Sequence, residues 1–265
     1  MNNPTPKAGS EAEIGKLLAA ARECIAEWEN LAFPLSVSAT HEVRFRVGFP
    51  LSSHALNQVA VALEMRDRFP LVAASCARIA LEHALAAQWV LLTRGGPETL
   101  VKHMEASYLT RTRAFEGAIR EDPALTQFVE EADLAAFSAV AAREPAPGQE
   151  RSWRMEQIFR RFADTDLFYD MYRELSGAVH PSYETLETHL DLTADGAPRR
   201  LSKSGSAVSS HTCAQAAAMA AVLALDFVER CRKPPPDPSP VAATANRYGL
   251  PYDMSFSDQK PHLQP

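Results

Sequence analysis

Residues 71–92 form the longest apolar run in the chain, and that run is about the length of a bilayer-spanning helix. Its middle nevertheless carries Arg78, Glu82, His83 and Gln88. Ionisable groups at mid-depth cost several kcal/mol in lipid, so the run reads as a helix buried inside protein, with no membrane as partner. Apolar residues point almost all the way round it, and such a helix has to be enclosed by others. This requirement predicts an all-α fold, a multi-helix bundle built around a central apolar helix. Composition points the same way: 46% of the 265 residues are hydrophobic. Ala and Leu dominate, the mix that straight helices tolerate at close packing.

The remaining elements follow from caps and periodicity. Ser10 and Glu13 have capping-box spacing, and Ile14, Leu17, Leu18, Ala21, Ile25 and Trp28 then repeat at helical intervals, which predicts a helix over 11–31. Val43, Phe45 and Val47 alternate with Arg44 and Arg46, the pattern of a short half-buried extended stretch. Helices are expected from Ser52 or Ser53 to Phe69, from Pro70 to the Gly95-Gly96 stop, and from Pro97 to about 122. Shorter helices are expected over 124–143, 153–162 and 166–179, with a Pro- and Gly-containing loop over 144–149. Between 181 and 206, Leu186, Leu190 and Leu192 fit a strand as well as a helix, and Asp195-Gly196 signals a turn. A small β-hairpin insertion is therefore open there. An Ala-rich helix over 209–232 completes the set. The domain plan is a flexible N-terminus over 1–9, a helical domain over 10–232 and a tail over 233–265. The tail opens with Lys233-Pro234-Pro235-Pro236-Asp237-Pro238-Ser239-Pro240 and is expected to be extended or disordered.

Several chemistries are excluded by spacing. The chain has no phosphate-binding glycine loop, no dinucleotide fingerprint, no H-E-x-x-H and no G-x-S-x-G. Glu82 and His83 are neighbours and diverge by about 100° on a helix, which makes them poor ligands for one metal. Neither a metal nor a cofactor is expected. Cys24, Cys76, Cys213 and Cys231 lie far apart and read as buried free thiols. The N-terminus lacks the apolar core of a signal peptide, so the expected location is the cytoplasm. A net charge of −6 argues against a generally basic surface and leaves room only for a local basic patch.

Two polar stripes could carry chemistry. On the central helix, Ser75, Arg78 and Glu82 share a narrow sector, where a buried Arg and Glu are costly unless paired. Arg78 and Glu82 then either fix helix packing or line a pocket. The second stripe is Arg173, Ser176, Gly177 and His180, spaced i, i+3, i+4 and i+7 and hence two turns of one helical face. Gly177 leaves room for close approach, and Pro181 places His180 at or just past the helix end. A guanidinium that is always charged beside an imidazole that titrates near neutrality suits proton transfer next to a phosphate. The bland alternative is a capping His and a surface Arg.

The segment Tyr172-Arg173-Glu174-Leu175-Ser176-Gly177-Ala178-Val179-His180-Pro181-Ser182, with Ala77-Arg78-Ile79-Ala80-Leu81-Glu82, resembles a bacterial family of helical domains of unknown function. More distantly it resembles the HEPN superfamily, whose ribonucleases carry an Arg and a His separated by four to six residues; here six intervene. The resemblance covers residues 71–182 at most. It implies that Arg173 holds a scissile phosphate and that His180 assists attack by the RNA 2′-OH without a metal. It also implies a homodimer. Glu174 is a departure, because nuclease members commonly place Asn, Asp or His directly after the Arg.

Three functional classes stay open at this level. The first is a HEPN-like protein that cleaves RNA, or binds RNA or another phosphate-bearing ligand through Arg173, Ser176 and His180. The second is a non-catalytic homodimeric interaction protein. The third is a small-molecule enzyme with Arg78 and Glu82 in a helical pocket. Arg151-Ser152-Trp153-Arg154 and Arg160-Arg161 add cations and a stacking ring of the kind RNA contacts use, although Glu150 and Glu156 interrupt them.

Overall fold

A Ser10 hydroxyl accepts the Glu13 amide at 3.2 Å, and helix α1 runs on from it over Glu11–Glu29. The computed structural model describes residues 9–122, 124, 126, 135, 138–140, 155–162, 165–177, 179, 189–193, 197–201 and 209–256. After α1 come α2 (Glu42–Met65), α3 (Pro70–Leu92) and α4 (Gly96–Glu121). Then follow α5 (Met155–Phe159), α6 (Thr165–Ser176), α7 (Ser210–Cys231) and α8 (Pro240–Tyr248). Strands β1 (Leu190–Leu192) and β2 (Pro198–Leu201) pair antiparallel, with Leu190 opposite Leu201 and a bulge between Asp191 and Leu192. The turn signal at Asp195-Gly196 lies outside the described residues, as do the loop expected over 144–149 and most of the helix expected over 124–143. The chain divides into two compact units, Met1–Arg94 with Met155–Gln264, and Gly95–Arg154.

In the first unit, α3 is the enclosed helix that the sequence demanded. It packs most extensively on α2 and next on α7, and α7 also contacts α1 and α2. Ala73, Ala77, Ala80, Leu81, Ala84, Leu85, Ala87 and Val90 are all fully buried. The small side chains let the neighbouring helices come close enough for dense packing. α3 and α7 are both long and apolar enough to cross a membrane, and 56% and 83% of their most apolar windows are buried inside this bundle. Cys24, Cys76 and Cys231 are buried free thiols, and Cys213 is half-buried.

The expectation of an extended stretch at Val43–Val47 is overturned. Those residues open α2, where Phe45 and Phe49 meet one turn apart with ring centroids at 4.9 Å. Phe45 also stacks on Phe227 of α7 at 6.5 Å. Gly48 lies directly under the Phe227 ring, and any Cβ there would overlap ring carbons. Burial on a helical face outweighs the local alternation, as packing commonly does over propensity.

The tail is also corrected. Residues 233–238 are irregular, but Ser239 then caps a helix by accepting the Ala242 amide at 3.0 Å. α8 docks between α1 and α7. Glu229 of α7 accepts the Ser239 hydroxyl and the Val241 amide. Glu23 of α1 accepts Thr244 Oγ1, Arg247 Nη1 and Tyr248 Oη. Val241, Ala245, Leu250 and Met254 are buried, and Phe256 packs on Phe162 with ring centroids at 5.4 Å. Proline stops one helix without preventing the next, for which Pro240 supplies an N-terminal residue that has no N–H to satisfy.

One polar contact crosses the core. Gln88 of α3, fully buried, donates Nε2 to the Leu223 carbonyl and to Asp226 Oδ2, both at 2.8 Å. Burial pushes the Asp226 carboxyl up to about 6, against the smaller opposing effects of Gln88 and Arg230.

Two expectations follow. Ending the chain at Lys233 removes four buried apolar side chains and the partners of Glu23 and Glu229, so thermal unfolding should show a loss of at least about 3 kcal/mol. A carboxyl whose folded pKa is raised favours the native state while it is protonated. Asp226 should therefore contribute a fall in stability of about 3 kcal/mol as pH rises from about 4 to about 6, flat beyond. Denaturant titrations of wild type and Asp226→Asn should diverge across that window, and parallel curves would contradict it.

Candidate functional site

The two polar stripes read from the sequence meet in space. Arg78 pairs with Glu82 one turn along α3 at 2.9 Å, their side chains 13% and 18% exposed. The same guanidinium reaches α6: Nε donates to Ser176 Oγ and Nη2 to Tyr172 Oη, each at 3.0 Å. Its carbon lies 4.8 Å from the Tyr172 ring centroid, a cation–π distance. Ser176 completes the network by donating its hydroxyl to the Tyr172 carbonyl at 2.6 Å. Ser75, the third member of the first stripe, stays local and donates to the Leu71 carbonyl at 2.9 Å. Arg78 is thus a clamp holding α6 to α3, and Ser176 belongs to that clamp.

Arg173 faces the other way. It is exposed on α6, meets no carboxylate in an ion pair among the described residues, and lies 5.9 Å from the Tyr169 ring centroid. Arg160 approaches the same ring at 6.0 Å, although it is also paired with Glu156. Tyr169 stacks near Tyr172 at 6.3 Å, and Tyr172 rests on the fully buried Phe159 at 5.1 Å. The result is an aromatic ladder running from core to surface, with exposed guanidiniums at its outer end. Glu174 is drawn aside: its carboxylate accepts the Thr212 hydroxyl of α7 at 2.8 Å.

The geometric reading of Arg173 and His180 as two turns of one helix is corrected. α6 ends at Ser176 and Gly177 forms a turn, with the Val179 amide bonded to the Ser176 carbonyl at 3.1 Å. Glycine and the coming Pro181 both favour that early stop. His180 itself lies outside the described residues, as does the Arg151–Arg154 segment. Arg161 packs over the Phe256 ring at 4.9 Å.

Sequence reasoning gave no role to Tyr172 and Tyr169, although both lie within a turn of Arg173, and Tyr172 stood within the quoted motif. Their i, i+3 spacing on a helix beside two arginines was the available signal. It also missed the partner of His83, whose ring lies 4.6 Å from that of His54. Burial lowers the His83 pKa; its Nδ1 hydrogen-bonds the Ile79 carbonyl at 2.8 Å, a smaller opposing effect. Among the described residues, no group of three or more His, Cys, Asp and Glu side chains is placed to hold a metal ion. A cavity of about 560 Å³ is lined by Pro34, Ser36, Arg232, Lys233 and Pro235 among others. It includes none of the predicted site residues.

Comparison with models of known protein families, with curated proteins and with solved structures returned no match for this chain.

The clamp generates a thermodynamic test. Arg78→Met leaves Glu82 and Tyr172 without the guanidinium and should cost on the order of 3 kcal/mol, with Glu82→Gln costing less because Arg78 keeps its bonds to α6. The double substitution should recover part of the sum, and strict additivity in chemical denaturation would contradict the coupling.

Proposed function

We propose that the chain is a HEPN-like helical protein that binds RNA, or another phosphate-bearing ligand, on the outer face of α6, with metal-independent RNA cleavage as its activity. The observation that carries this reading is the division of labour on α6. Arg78 takes up the inner-face groups Ser176 and Tyr172, while Arg173 stands exposed beside a half-buried tyrosine ring. A guanidinium binds a phosphate through forked, charge-assisted hydrogen bonds, and the neighbouring ring offers a base a stacking surface. In this reading Arg173 holds the phosphate and His180 exchanges the proton with the attacking 2′-OH. Arg78, Glu82 and Ser176 keep α6 in place as positioning residues. The overall negative charge makes the patch local, which suits recognition of one phosphate rather than a long duplex. The proposed location is the cytoplasm.

A small-molecule enzyme built on Arg78 and Glu82 is less supported, since that guanidinium is committed to three protein partners. A second reading, a protein that works by association with other chains, is favoured by the exposed Val101, Met104 and Tyr108 of α4.

Purified protein should degrade single-stranded RNA in EDTA, with Arg173→Ala and His180→Ala each lowering the rate at least about a hundredfold at unchanged melting temperature. If wild type binds RNA without cleaving it, Arg173→Ala should still weaken binding and reduce its salt dependence. RNA cleavage and binding that are indifferent to both substitutions would refute the site.

A further inference from the structure

Past α8 the chain turns at Gly249, whose positive φ of 68° ends the helix, and residues 250–256 continue as an irregular segment. Leu250 and Met254 are buried, and the Phe256 ring rests on Phe162, with which it also forms a β-bridge. Between these apolar anchors, Asp253 has a side chain 83% exposed and meets Arg230 Nη1 of α7 at 3.7 Å. The same nitrogen lies 3.7 Å from Asp226, whose side chain is 10% exposed. One cation is thus shared between a nearly buried carboxyl of the bundle and an exposed one on the C-terminal segment.

Sharing makes that segment sensitive to the charge of Asp226. The groups that face the Asp226 carboxyl are Gln88 of α3, Arg230 and Glu229 of α7, and Asp253. Burial raises its pKa most; Gln88 and Arg230 act against that, and the charges of Glu229 and Asp253 add to it. Of the two carboxylates that repel an ionised Asp226, only Asp253 lies on a segment that can lift away without unwinding a helix. An exposed ion pair by itself is worth little, so burial of Leu250, Met254 and Phe256 supplies the main hold. The charge of Asp226 adjusts it. With Asp226 protonated, Arg230 serves Asp253 alone. Once Asp226 ionises, Asp253 competes with a second carboxylate for the same guanidinium and is repelled by it.

We propose that residues 250–256 are a pH-sensitive strap, fastened across the end of α7 while Asp226 carries a proton and loosened when it ionises. Lifting the strap removes Asp253 from the surroundings of Asp226, so the carboxyl holds its proton more weakly in the open state than in the docked one. A group whose pKa is raised by docking favours the docked state below its open-state pKa. That support is withdrawn as pH rises to the docked value, here about 6. Mild acidification therefore tightens the strap, whereas paired carboxylates ordinarily loosen a fold in acid. The outer end of the strap packs on Arg161 and Phe162, in the connection between α5 and α6. The inference does not rest on the reading of α6 as a ligand site, and its test reads exchange rather than RNA.

The measurement is hydrogen-exchange protection of the strap amides in the full chain, corrected for intrinsic rates. In wild type it should fall about threefold or more from about pH 5 to about pH 7.5. Asp226→Asn keeps an acceptor for Gln88 without the charge, and should hold the strap at its acidic level of protection at both pH values. Asp253→Asn changes an exposed position and should lessen the fall by removing the repulsion. Should Asp226→Asn unfold the protein, the response of Asp253→Asn decides. Strap protection in wild type that is equal at both pH values, or higher at the upper one, would overturn the inference. So would a fall of wild-type size in either variant.

Discussion

Enclosing α3 is the constraint from which the rest of the first unit follows. A helix apolar on nearly every side has no stable place at a surface, so α2 and α7 have to lie against it. Small residues at Ala73, Ala77, Ala80, Ala84 and Ala87 permit that close approach. Enclosure then sets terms for every polar group the helix carries. Gln88 meets them through Leu223 and Asp226, and Arg78 through Glu82, Ser176 and Tyr172. Burying either group without such partners would cost more than the surrounding apolar contacts of one residue supply.

The Arg78 clamp links this packing requirement to the candidate site. A half-buried guanidinium needs several acceptors, and α3 alone offers one carboxylate. The others come from α6, so satisfying Arg78 also fixes the rotation of α6 about its axis. That rotation points Ser176 and Tyr172 inward and leaves Arg173 outward. The outer guanidinium is thereby presented by an element whose inner side is held by polar and aromatic contacts, the kind of support a precise binding residue requires.

Much of this was legible in the sequence, for identifiable reasons. The starts of α1, α3 and α4 followed from Ser10, Pro70 and Gly95-Gly96, because caps and breakers act locally. The Arg78–Glu82 pair was equally visible, as i, i+4 spacing on a buried helix leaves few alternatives. Local signals failed where the deciding partner is distant in sequence. The alternation at 43–47 gave no hint of Phe227, which makes that stretch helical by packing. Pro234 to Pro240 concealed α8, which is held by Glu229 near the end of the preceding helix and by Glu23 of α1, far upstream in the sequence. Ser176 was grouped with Arg173 by spacing, yet its hydroxyl partner Arg78 lies on another helix. The early end of α6 at Ser176 removed the helical argument that joined Arg173 to His180.

The central claim is that Arg78 anchors α6 while Arg173, three residues from Ser176, is dispensable for the fold. Native-state amide hydrogen exchange over α6 tests it most directly, since it reads local opening rather than global stability. In Arg78→Met, the α6 amides should exchange faster while those in the middle of α2 and α7 keep their protection. In Arg173→Ala all three helices should exchange as in wild type. Equal α6 protection in Arg78→Met and wild type, or loss of α6 protection in Arg173→Ala, would contradict the account.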